Sequence, residues 1–214
     1  MNAEAEPALR EAIVAAARAM NAMGINRGTA GNVSARVAGG FLVTPSGMRY
    51  EDLGTADVVR VAMDGTAHGV RKPSSEWRFH RDIYATRPEA GAIVHTHGPY
   101  SAALACHGRG IPAFHYMVAR AGGRDIRCAP YATFGTQELS DHALAALAGR
   151  RACLLAHHGA IAMGASLDTA LALAGELETL AEMYWRALAI GEPPRLPDAE
   201  MDAVIAKFGS YGQR

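Results

Sequence analysis

The sequence predicts a single α/β domain, residues 1–214, in which helices flank a central and mostly antiparallel sheet. Three observations support this fold class. The chain has 214 residues, about the size of one domain, and 50% of them are hydrophobic while 20% are charged, as in a protein with a real core. Helix and strand patterns mix without strict alternation, and hairpin signals follow several strands. No repeat, low-complexity tract or linker divides the chain.

The N-terminal part of the chain carries clear start and stop signals. An Ala-rich run opens at Pro7 and stops before Gly24, with apolar residues at helical spacing. Alternating polar and apolar residues around Gly39-Gly40 indicate a β-hairpin, and Asp64-Gly65 indicates another tight turn. The predicted elements are a helix at 7–23, strands at 32–37, 41–44 and 57–63, and a helix from Ser74 or Ser75 to residue 86.

The C-terminal part alternates short apolar runs with longer helical patterns. The run at 90–96 is apolar enough for a buried strand. The pattern at 166–190 keeps helical spacing over its whole length and ends at Gly191, before Pro193-Pro194. The predicted strands are 90–96, 111–118, 126–129 and 152–156, and the predicted helices are 99–107, 137–147, 166–190 and 198–208.

The charge of the chain is balanced, which argues against two classes of partner. Lys plus Arg and Asp plus Glu both number 21, so neither nucleic acid nor an anionic membrane is expected as the main partner. No stretch approaches the ~20 apolar residues of a membrane span. The three cysteines form no C-x-x-C pair, which favours buried thiols in a reducing compartment. With no signal-peptide pattern, a cytoplasmic location is expected.

Histidines at two strand ends form the strongest chemical pattern. Residues two apart on a strand point to the same side, so His95 and His97 are able to offer both imidazoles to one ion. A third imidazole is available from His157 or His158, before Gly159, and Glu76 is a fourth candidate ligand. Ordinary core histidines are the alternative explanation. The unpaired His68, His80, His107, His115 and His142 are interpreted as surface or core residues.

Three turns rich in glycine and hydroxyl groups suit a phosphate group. They are the segments 28–34, 44–47 and 72–76. The third lies at a predicted helix N-terminus, where free backbone N–H groups and the helix dipole favour an anion. Ser at a helix start is also a common cap, so a purely structural role is the alternative. None of the three matches a Walker or Rossmann pattern.

Taken together, these motifs resemble the class II aldolase and adducin-head family. They follow the family's order over nearly the whole chain, which makes the resemblance highly specific for the superfamily and less so for the substrate. The resembling segments are GTAGNVS at 28–34, TPSG at 44–47, KPSSEWRFH at 72–80, VHTHG at 94–98, IPAFHYM at 111–117, APYATFGT at 129–136, HHGAIAMG at 157–164 and KFGSYG at 207–212.

The resemblance implies a metal centre next to a phosphate site. His95, His97 and His158 match the family's Zn²⁺ ligands, although another divalent metal is also compatible. Glu76 matches the fourth ligand, which is also the catalytic acid/base. The positions that match the family's phosphate-binding residues are Thr29, Asn32, Ser46, Gly47, Ser74 and Ser75.

The resemblance also implies a homotetramer with active sites between subunits. Tyr116 matches a catalytic tyrosine that enters the site from a neighbouring subunit, and Phe134 and Tyr211 match residues that shape the aldehyde side. Ser46 replaces a threonine found in related aldolases and keeps its hydroxyl.

The implied activity is Zn²⁺-dependent cleavage of a ketose 1-phosphate, such as L-fuculose 1-phosphate, to dihydroxyacetone phosphate and a short aldehyde such as lactaldehyde. The phosphate motifs do not separate this substrate from 5-deoxyribulose or 5-methylthioribulose 1-phosphate. Other activities of the family are pentulose phosphate 4-epimerase, methylthioribulose-1-phosphate dehydratase and a non-catalytic adducin-like module. A zinc hydrolase is a further alternative, but it leaves the phosphate-like turns unexplained.

Overall fold

An eight-stranded sheet forms the centre of residues 6–209, the part of the chain that this computed structural model describes. The strands are β1 (Asn32–Val37), β2 (Gly40–Val43), β3 (Val59–Ala62), β4 (Ala67–His68), β5 (Ala92–Thr96), β6 (Arg127–Ala129), β7 (Ala152–Leu155) and β8 (Gly159–Gly164). Their order across the sheet is β4-β3-β2-β1-β5-β8-β7-β6. All neighbours are antiparallel except β6 and β7. The predicted α/β fold with a mostly antiparallel sheet is thus confirmed.

Helices cover both faces of the sheet. They are α1 (Glu6–Ala22), α2 (Trp77–Thr86), α3 (Pro99–Cys106), α4 (Gln137–Leu147), α5 (Leu167–Leu188) and α6 (Asp198–Phe208). Helices α1, α3, α5 and α6 share one hydrophobic cluster with the first face, and α2 and α4 share another with the second face. None of these helices is long and apolar enough to span a membrane.

Alternation along two central strands directs the polar side chains to the second face. On β5, Ala92 and Val94 pack in the cluster of α1 and α5, whereas Ile93 packs in the cluster of α2 and α4. His95 therefore points to the side of α2. Asn32 on β1 pairs directly with His95, so the two side chains lie on the same face. The face covered by α2 and α4 thus holds the polar groups.

The predicted strand at 111–118 is wrong. Only Ile111 makes an isolated bridge, to Ile126, and a 3-10 turn occupies Tyr116–Ala121. Pro112 has no N–H for a ladder, and the His115 side chain accepts a hydrogen bond from the Met117 N–H, which starts the turn.

Strand β8 was not predicted, because its residues are Gly, Ala, Ile and Met rather than a β-branched run. Small residues are needed there. A Cβ on Gly159 would collide with the Thr96 carbonyl, and one on Gly164 would collide with Thr169. The close approach of β8 to its neighbours therefore selects residues with low strand propensity.

Candidate active site

Four potential metal ligands meet where β5 ends, β7 turns into β8 and α2 begins. His95 and His97 come from the end of β5, His158 from the turn between β7 and β8, and Glu76 from the residue before α2. One ligand atom from each lies within 4.8 Å of all the others. The pairing of β5 with β8 and the packing of α2 on the same face explain why residues distant in sequence converge.

The separations between these atoms fit one small divalent cation. His95 Nε2 lies 3.0 Å from His97 Nε2 and 3.2 Å from Glu76 Oε2, and His158 Nε2 lies 3.2 Å from Glu76 Oε1. A tetrahedral Zn²⁺ with bonds of about 2.0–2.1 Å has ligand atoms about 3.3 Å apart. Glu76 Oε1 is buried and has no well-aligned hydrogen-bond donor among the described residues. The donor set and its geometry therefore fit the metal that the sequence predicted.

The backbone prepares His95 for coordination. Its Nδ1 lies 2.9 Å from the Ala160 carbonyl oxygen, which only accepts hydrogen bonds, so Nδ1 carries the proton. Nε2 is then the atom that takes either a second proton, beside the Glu76 carboxylate, or a metal ion in place of that proton, and it points to Glu76 and the other two imidazoles. A backbone carbonyl that fixes the tautomer of a ligating histidine is a usual feature of metal sites.

The ionisable groups of this cluster shift one another's pKa values. Burial alone would raise the pKa of Glu76, but the charge of His95 and the close contacts with His158 and His95 lower it well below its usual range. Burial opposes protonation of His95, yet the adjacent Glu76 raises its pKa. Burial and the charges of His95 and His158 lower the pKa of His97 to about 3. Glu76 is thus ionised at neutral pH and favours a positive charge at the centre of the cluster.

The turn that carries His158 has an unusual backbone. His157 has φ of 54°, the only positive φ of a non-glycine residue in the described chain. Its N–H donates to the carbonyl of Ala105 in α3, and the next strand begins at once with Gly159. Left-handed backbone at a non-glycine residue is uncommon and concentrates at functional sites. Here it reverses the chain tightly enough to place His158 beside Glu76.

A cavity of about 360 Å³ joins the metal ligands to the predicted phosphate residues. Glu76, His97 and His158 line one part of it. All the predicted phosphate-binding residues also line it: Thr29, Asn32, Ser46, Gly47, Ser74 and Ser75. No Lys or Arg is among the described lining residues. An anion in this cavity would therefore depend on hydroxyl, amide and backbone N–H donors and on the N-terminus of α2.

Buried polar side chains hold the glycine-rich loop at residues 28–31 against β5, the strand whose end carries His95 and His97. Asn26 donates from Nδ2 to the Ala30 carbonyl at 2.5 Å, and its Oδ1 accepts from the His97 N–H at 3.2 Å. The Tyr50 hydroxyl donates to the Gly31 carbonyl at 2.8 Å. Gly31 has φ of 70°, and a Cβ there would lie 2.5 Å from the His95 carbonyl. The loop and the metal site are thus one connected structure.

The other three predicted residues have different positions. Phe134 is 64% exposed and lines the rim of the cavity. Tyr116 does not line it; its ring is 49% exposed and stacks at 6.5 Å on Phe208 in a separate groove. Tyr211 lies outside the described residues, so its position beside the aldehyde remains an expectation.

Sequence reasoning missed several residues around the site. Tyr131 and His157 line the cavity with their rings 6.0 Å apart, although both occur inside the recognised motifs. Asn26 had no signal beyond its place just before the glycine-rich loop. His80, interpreted as an ordinary histidine, is fully buried and is hydrogen-bonded to Asn32. The spacing of four between Glu76 and His80 was the available signal, since it places both on one helical face.

Comparison with known proteins identifies relatives over almost the whole chain. Residues 11–185 match the family described as Class II Aldolase and Adducin N-terminal domain. A 5-methylthioribulose-1-phosphate/5-deoxyribulose-1-phosphate aldolase of Rhodospirillum rubrum is 60% identical over 205 residues, which are 96% of this chain and 93% of the relative. The L-fuculose phosphate aldolase of Escherichia coli K12 is 50% identical over 196 residues, 91% of each chain.

Solved structures agree with these sequence relatives. A structure of L-fuculose 1-phosphate aldolase superposes with a TM-score of 0.92 at 37% identity and covers 98% of both chains. The L-fuculose-1-phosphate aldolase of Thermus thermophilus gives a TM-score of 0.75 at 31% identity, covering 88% of this chain and 98% of its own.

Proposed function

Because the chain belongs to the class II aldolase and adducin N-terminal domain family, we propose that it cleaves a ketose 1-phosphate into dihydroxyacetone phosphate and an aldehyde, using Zn²⁺. The chain is an enzyme, a lyase of the aldolase type. One observation carries the proposal for its substrate: a four-ligand cluster shares one cavity with hydroxyl and amide groups suited to a phosphate. A sugar phosphate that spans both ends would have its reacting carbons beside Glu76.

The phosphate end positions the substrate for reaction. Ser74 and Ser75 precede α2, so their hydroxyls lie beside the free N–H groups of the helix N-terminus. Asn32 adds a side-chain amide from β1. These contacts lie away from the bond that breaks, and their binding energy holds the substrate in a reactive orientation.

Proton transfers would be shared between Glu76 and Tyr116. In cleavage the C4 hydroxyl loses its proton, the C3–C4 electron pair remains on C3, and C4 becomes the aldehyde carbon. A bound divalent cation would supply Lewis-acid stabilisation of the negative charge that develops next to the C2 carbonyl. Tyr116 would take the C4 hydroxyl proton and Glu76 would return one proton to C3, so that no proton is gained or lost overall. Glu76 must be protonated for this step, and enclosure with the substrate in a dry cavity would raise its pKa toward that form.

The position of Tyr116 favours a site shared between subunits. In one chain, Tyr116 is half exposed in a groove separate from the metal cavity. A neighbouring chain of a homotetramer would have to bring its own Tyr116 to the cavity. The rim residues Tyr131, Phe134 and His157 would then face the aldehyde portion of the substrate.

The relatives favour two sets of substrates. The 60%-identical relative is named for 5-methylthioribulose and 5-deoxyribulose 1-phosphates, and the 50%-identical relative for L-fuculose phosphate. The higher identity favours the 5-substituted ribulose 1-phosphates as the first candidates. L-Fuculose 1-phosphate is the second, and both keep the same phosphate end. A non-catalytic module is disfavoured because all four ligand positions are retained.

A substrate panel tests this proposal. The purified, Zn²⁺-loaded protein would be incubated with each of the three ketose 1-phosphates, and dihydroxyacetone phosphate would be measured with a coupled dehydrogenase. We expect product from at least one substrate, with loss of activity in EDTA and recovery on adding Zn²⁺. Absence of dihydroxyacetone phosphate from all three, or a C4 epimer as the only product, would overturn the proposal.

A further inference from the structure

A chain of hydrogen bonds lies buried behind the candidate active site. It runs from the Tyr84 hydroxyl to Ser34 Oγ at 2.8 Å, to His80 Nδ1 at 2.6 Å, from His80 Nε2 to Asn32 Oδ1 at 2.5 Å, and from Asn32 Nδ2 to Glu76 Oε2 at 3.0 Å. Tyr84, Ser34, His80 and Asn32 are each at most 2% exposed. We name these residues, with Glu76, the buried relay.

The buried relay combines residues at helical spacing with residues at strand spacing. Glu76, His80 and Tyr84 are four residues apart, so His80 and Tyr84 share one face of α2 and Glu76 continues that face just before the helix begins. Asn32 and Ser34 are two apart on β1, so they point to the same face of the sheet. Packing this helix face on this strand face brings alternate members together. The relay is therefore specified by residues from both elements.

Counting donors and acceptors gives the relay one direction. An ionised Glu76 only accepts hydrogen bonds, so Asn32 must turn its NH₂ group to it and its Oδ1 to His80. His80 must then carry its proton on Nε2, which leaves Nδ1 as an acceptor for the Ser34 hydroxyl. Ser34 in turn accepts from Tyr84. Each of the four hydrogen bonds from Tyr84 to Glu76 Oε2 then joins one donor to one acceptor, and reversing one member leaves a donor or acceptor unpaired.

His80 remains neutral in this position. Burial, reinforced by the charge of His95, lowers the pKa of His80 to about 3. The ring therefore offers one donor and one acceptor throughout the neutral range. A cationic ring would instead present a second donor to the Ser34 hydroxyl and would break the order of the relay.

We infer that His80 is a positioning residue that fixes the Asn32 amide with its NH₂ group facing Glu76 and the phosphate end of the cavity. An amide keeps its shape when its oxygen and nitrogen exchange places, so packing alone does not choose the orientation. The flipped amide would present an oxygen to the Glu76 carboxylate and to any bound phosphate, which repels both. The phosphate part of this inference rests on the proposed function.

Two substitutions of His80 distinguish the effect of its hydrogen bond to Asn32 from the effect of the size of its ring. His80→Gln places an NH₂ group near the position of Nε2 and keeps the donor to Asn32. His80→Asn reaches only the position of Nδ1 and loses that donor. Binding of inorganic phosphate to the Zn²⁺-loaded protein would be measured by calorimetry. We expect about tenfold weaker binding for His80→Asn, the size of one hydrogen bond to a charged ligand, and at most about threefold for His80→Gln.

A double-mutant cycle with Asn32→Ala distinguishes positioning from general damage to the fold. If His80 acts through Asn32, His80→Asn has no further effect on phosphate affinity once Asn32 is alanine. Melting temperatures are recorded in parallel, because a merely structural role would lower stability equally in both backgrounds. An equal loss of phosphate affinity in both backgrounds, or unchanged affinity in His80→Asn, would overturn the inference.

A measurement without ligand keeps this test independent of the aldolase assay. Nitrogen-15 NMR of histidine reports the tautomer, and we expect His80 to be neutral and protonated on Nε2 at pH 7. A ring protonated on Nδ1, or on both nitrogens, would contradict the relay. If the protein binds phosphate as described but cleaves no ketose 1-phosphate, the proposed reaction fails and the role of His80 stands. If the wild-type protein binds no phosphate, the phosphate part of the inference fails.

Discussion

At the scale of single residues, Glu76 has the most demanding position in the molecule. It is 6% exposed, faces His95 and His158, and accepts one hydrogen bond from Asn32. A buried charge of this kind is unfavourable unless it is paired, and a cation held by the neighbouring imidazoles would pair it. The residue is therefore placed to serve both as a ligand and as a carrier of a proton.

Glu76→Gln separates these two roles. The variant keeps three imidazole ligands and an oxygen of similar size, so we expect near-normal Zn²⁺ content and phosphate binding. Without a carboxylate to carry the proton, kcat should fall by about 10²–10⁴-fold. Metal analysis and steady-state kinetics check this, with the exposed Glu11→Gln as a matched control. Near-normal cleavage by Glu76→Gln would rule out the acid/base role.

Backbone geometry makes a second prediction at the residue scale. Gly28 and Gly31 lie in the same loop with φ of 64° and 70°, but a Cβ is unobstructed only at Gly28. Both alanine variants should be destabilised by left-handed strain. Gly31→Ala should lose about 1–3 kcal/mol more, because its Cβ would meet the His95 carbonyl and Asn26.

Urea denaturation of both variants measures that difference, provided that the slope of each transition is unchanged. Phosphate affinity should also fall more in Gly31→Ala, since the clash pushes the loop away from the strand that carries the metal ligands. Equal stability of the two variants would show that the loop and the strand are not in the close contact described.

At the scale of elements, α2 connects the site to the rest of the fold. Its inner face carries His80 and Tyr84 of the buried relay, and its outer side is joined to α4 through Asp82. The Asp82 carboxylate accepts hydrogen bonds from Ser140 Oγ and Gln137 Nε2, each at 2.7 Å, and pairs with Arg81 at 2.6 Å. This contact joins α2 to α4, the two helices that cover the active-site face of the sheet.

Asp82→Asn should weaken this connection in a pH-dependent way. Burial alone would raise the pKa of Asp82, but hydrogen bonds from Arg81, Ser140 and Gln137 lower it below its usual value. Its stabilisation is therefore fully present above the unfolded-state pKa of about 3.9 and is lost as the pH falls through the lower folded-state value. We expect a loss of about 1–3 kcal/mol at pH 7 and a smaller difference in acid.

Unfolding free energies of the wild type and Asp82→Asn, measured from pH 7 down to pH 3, check the prediction. The exposed Asp52→Asn serves as a control, because its carboxylate lies 3.9 Å from Arg49 in a solvent-exposed pair that contributes little. If the stability difference between wild type and Asp82→Asn grew on acidification, the Asp82 carboxylate would not be stabilising the fold in its ionised form.

Local patterns in the sequence predicted individual helices and strands better than they predicted which segments pack against one another. The helical pattern at 166–190 and the His-x-His strand end are local signals, and both correspond to structure, as α5 and the end of β5. Strand β8 was missed because its Gly and Ala residues are chosen by the strands and helix packed against it. The role of His80 was missed for a related reason, since its partners Asn32 and Ser34 lie on another element. Long-range packing carries information that no single segment contains.

At the scale of the whole molecule, most of the predicted site residues that the structure describes lie around one cavity, and Tyr116 lies elsewhere. The candidate metal ligands Glu76, His97 and His158 share a cavity with the predicted phosphate residues, whereas Tyr116 lies in a groove with Phe208. A site that joins one chain's cavity to a neighbour's Tyr116 would couple activity to assembly. This arrangement makes a prediction that no single-chain mechanism shares.

Mixing two inactive variants tests the shared site. Tyr116→Phe and Glu76→Gln chains would be dissociated, combined in equal amounts and reassembled. If each site takes Glu76 from one subunit and Tyr116 from the next, random assembly restores about a quarter of the sites. Each variant reassembled alone provides the control. No recovery in the mixture, with tetramers formed, would show that the two residues act within one chain.

The most direct test of the account is where a divalent cation binds. Zn²⁺-loaded crystals should be measured with anomalous diffraction at the zinc edge. We predict one strong site per chain, with His95, His97 and His158 bonded through nitrogen at about 2.0–2.1 Å and Glu76 bonded through oxygen. Zinc bound elsewhere, or no anomalous peak between these four side chains, would contradict the account.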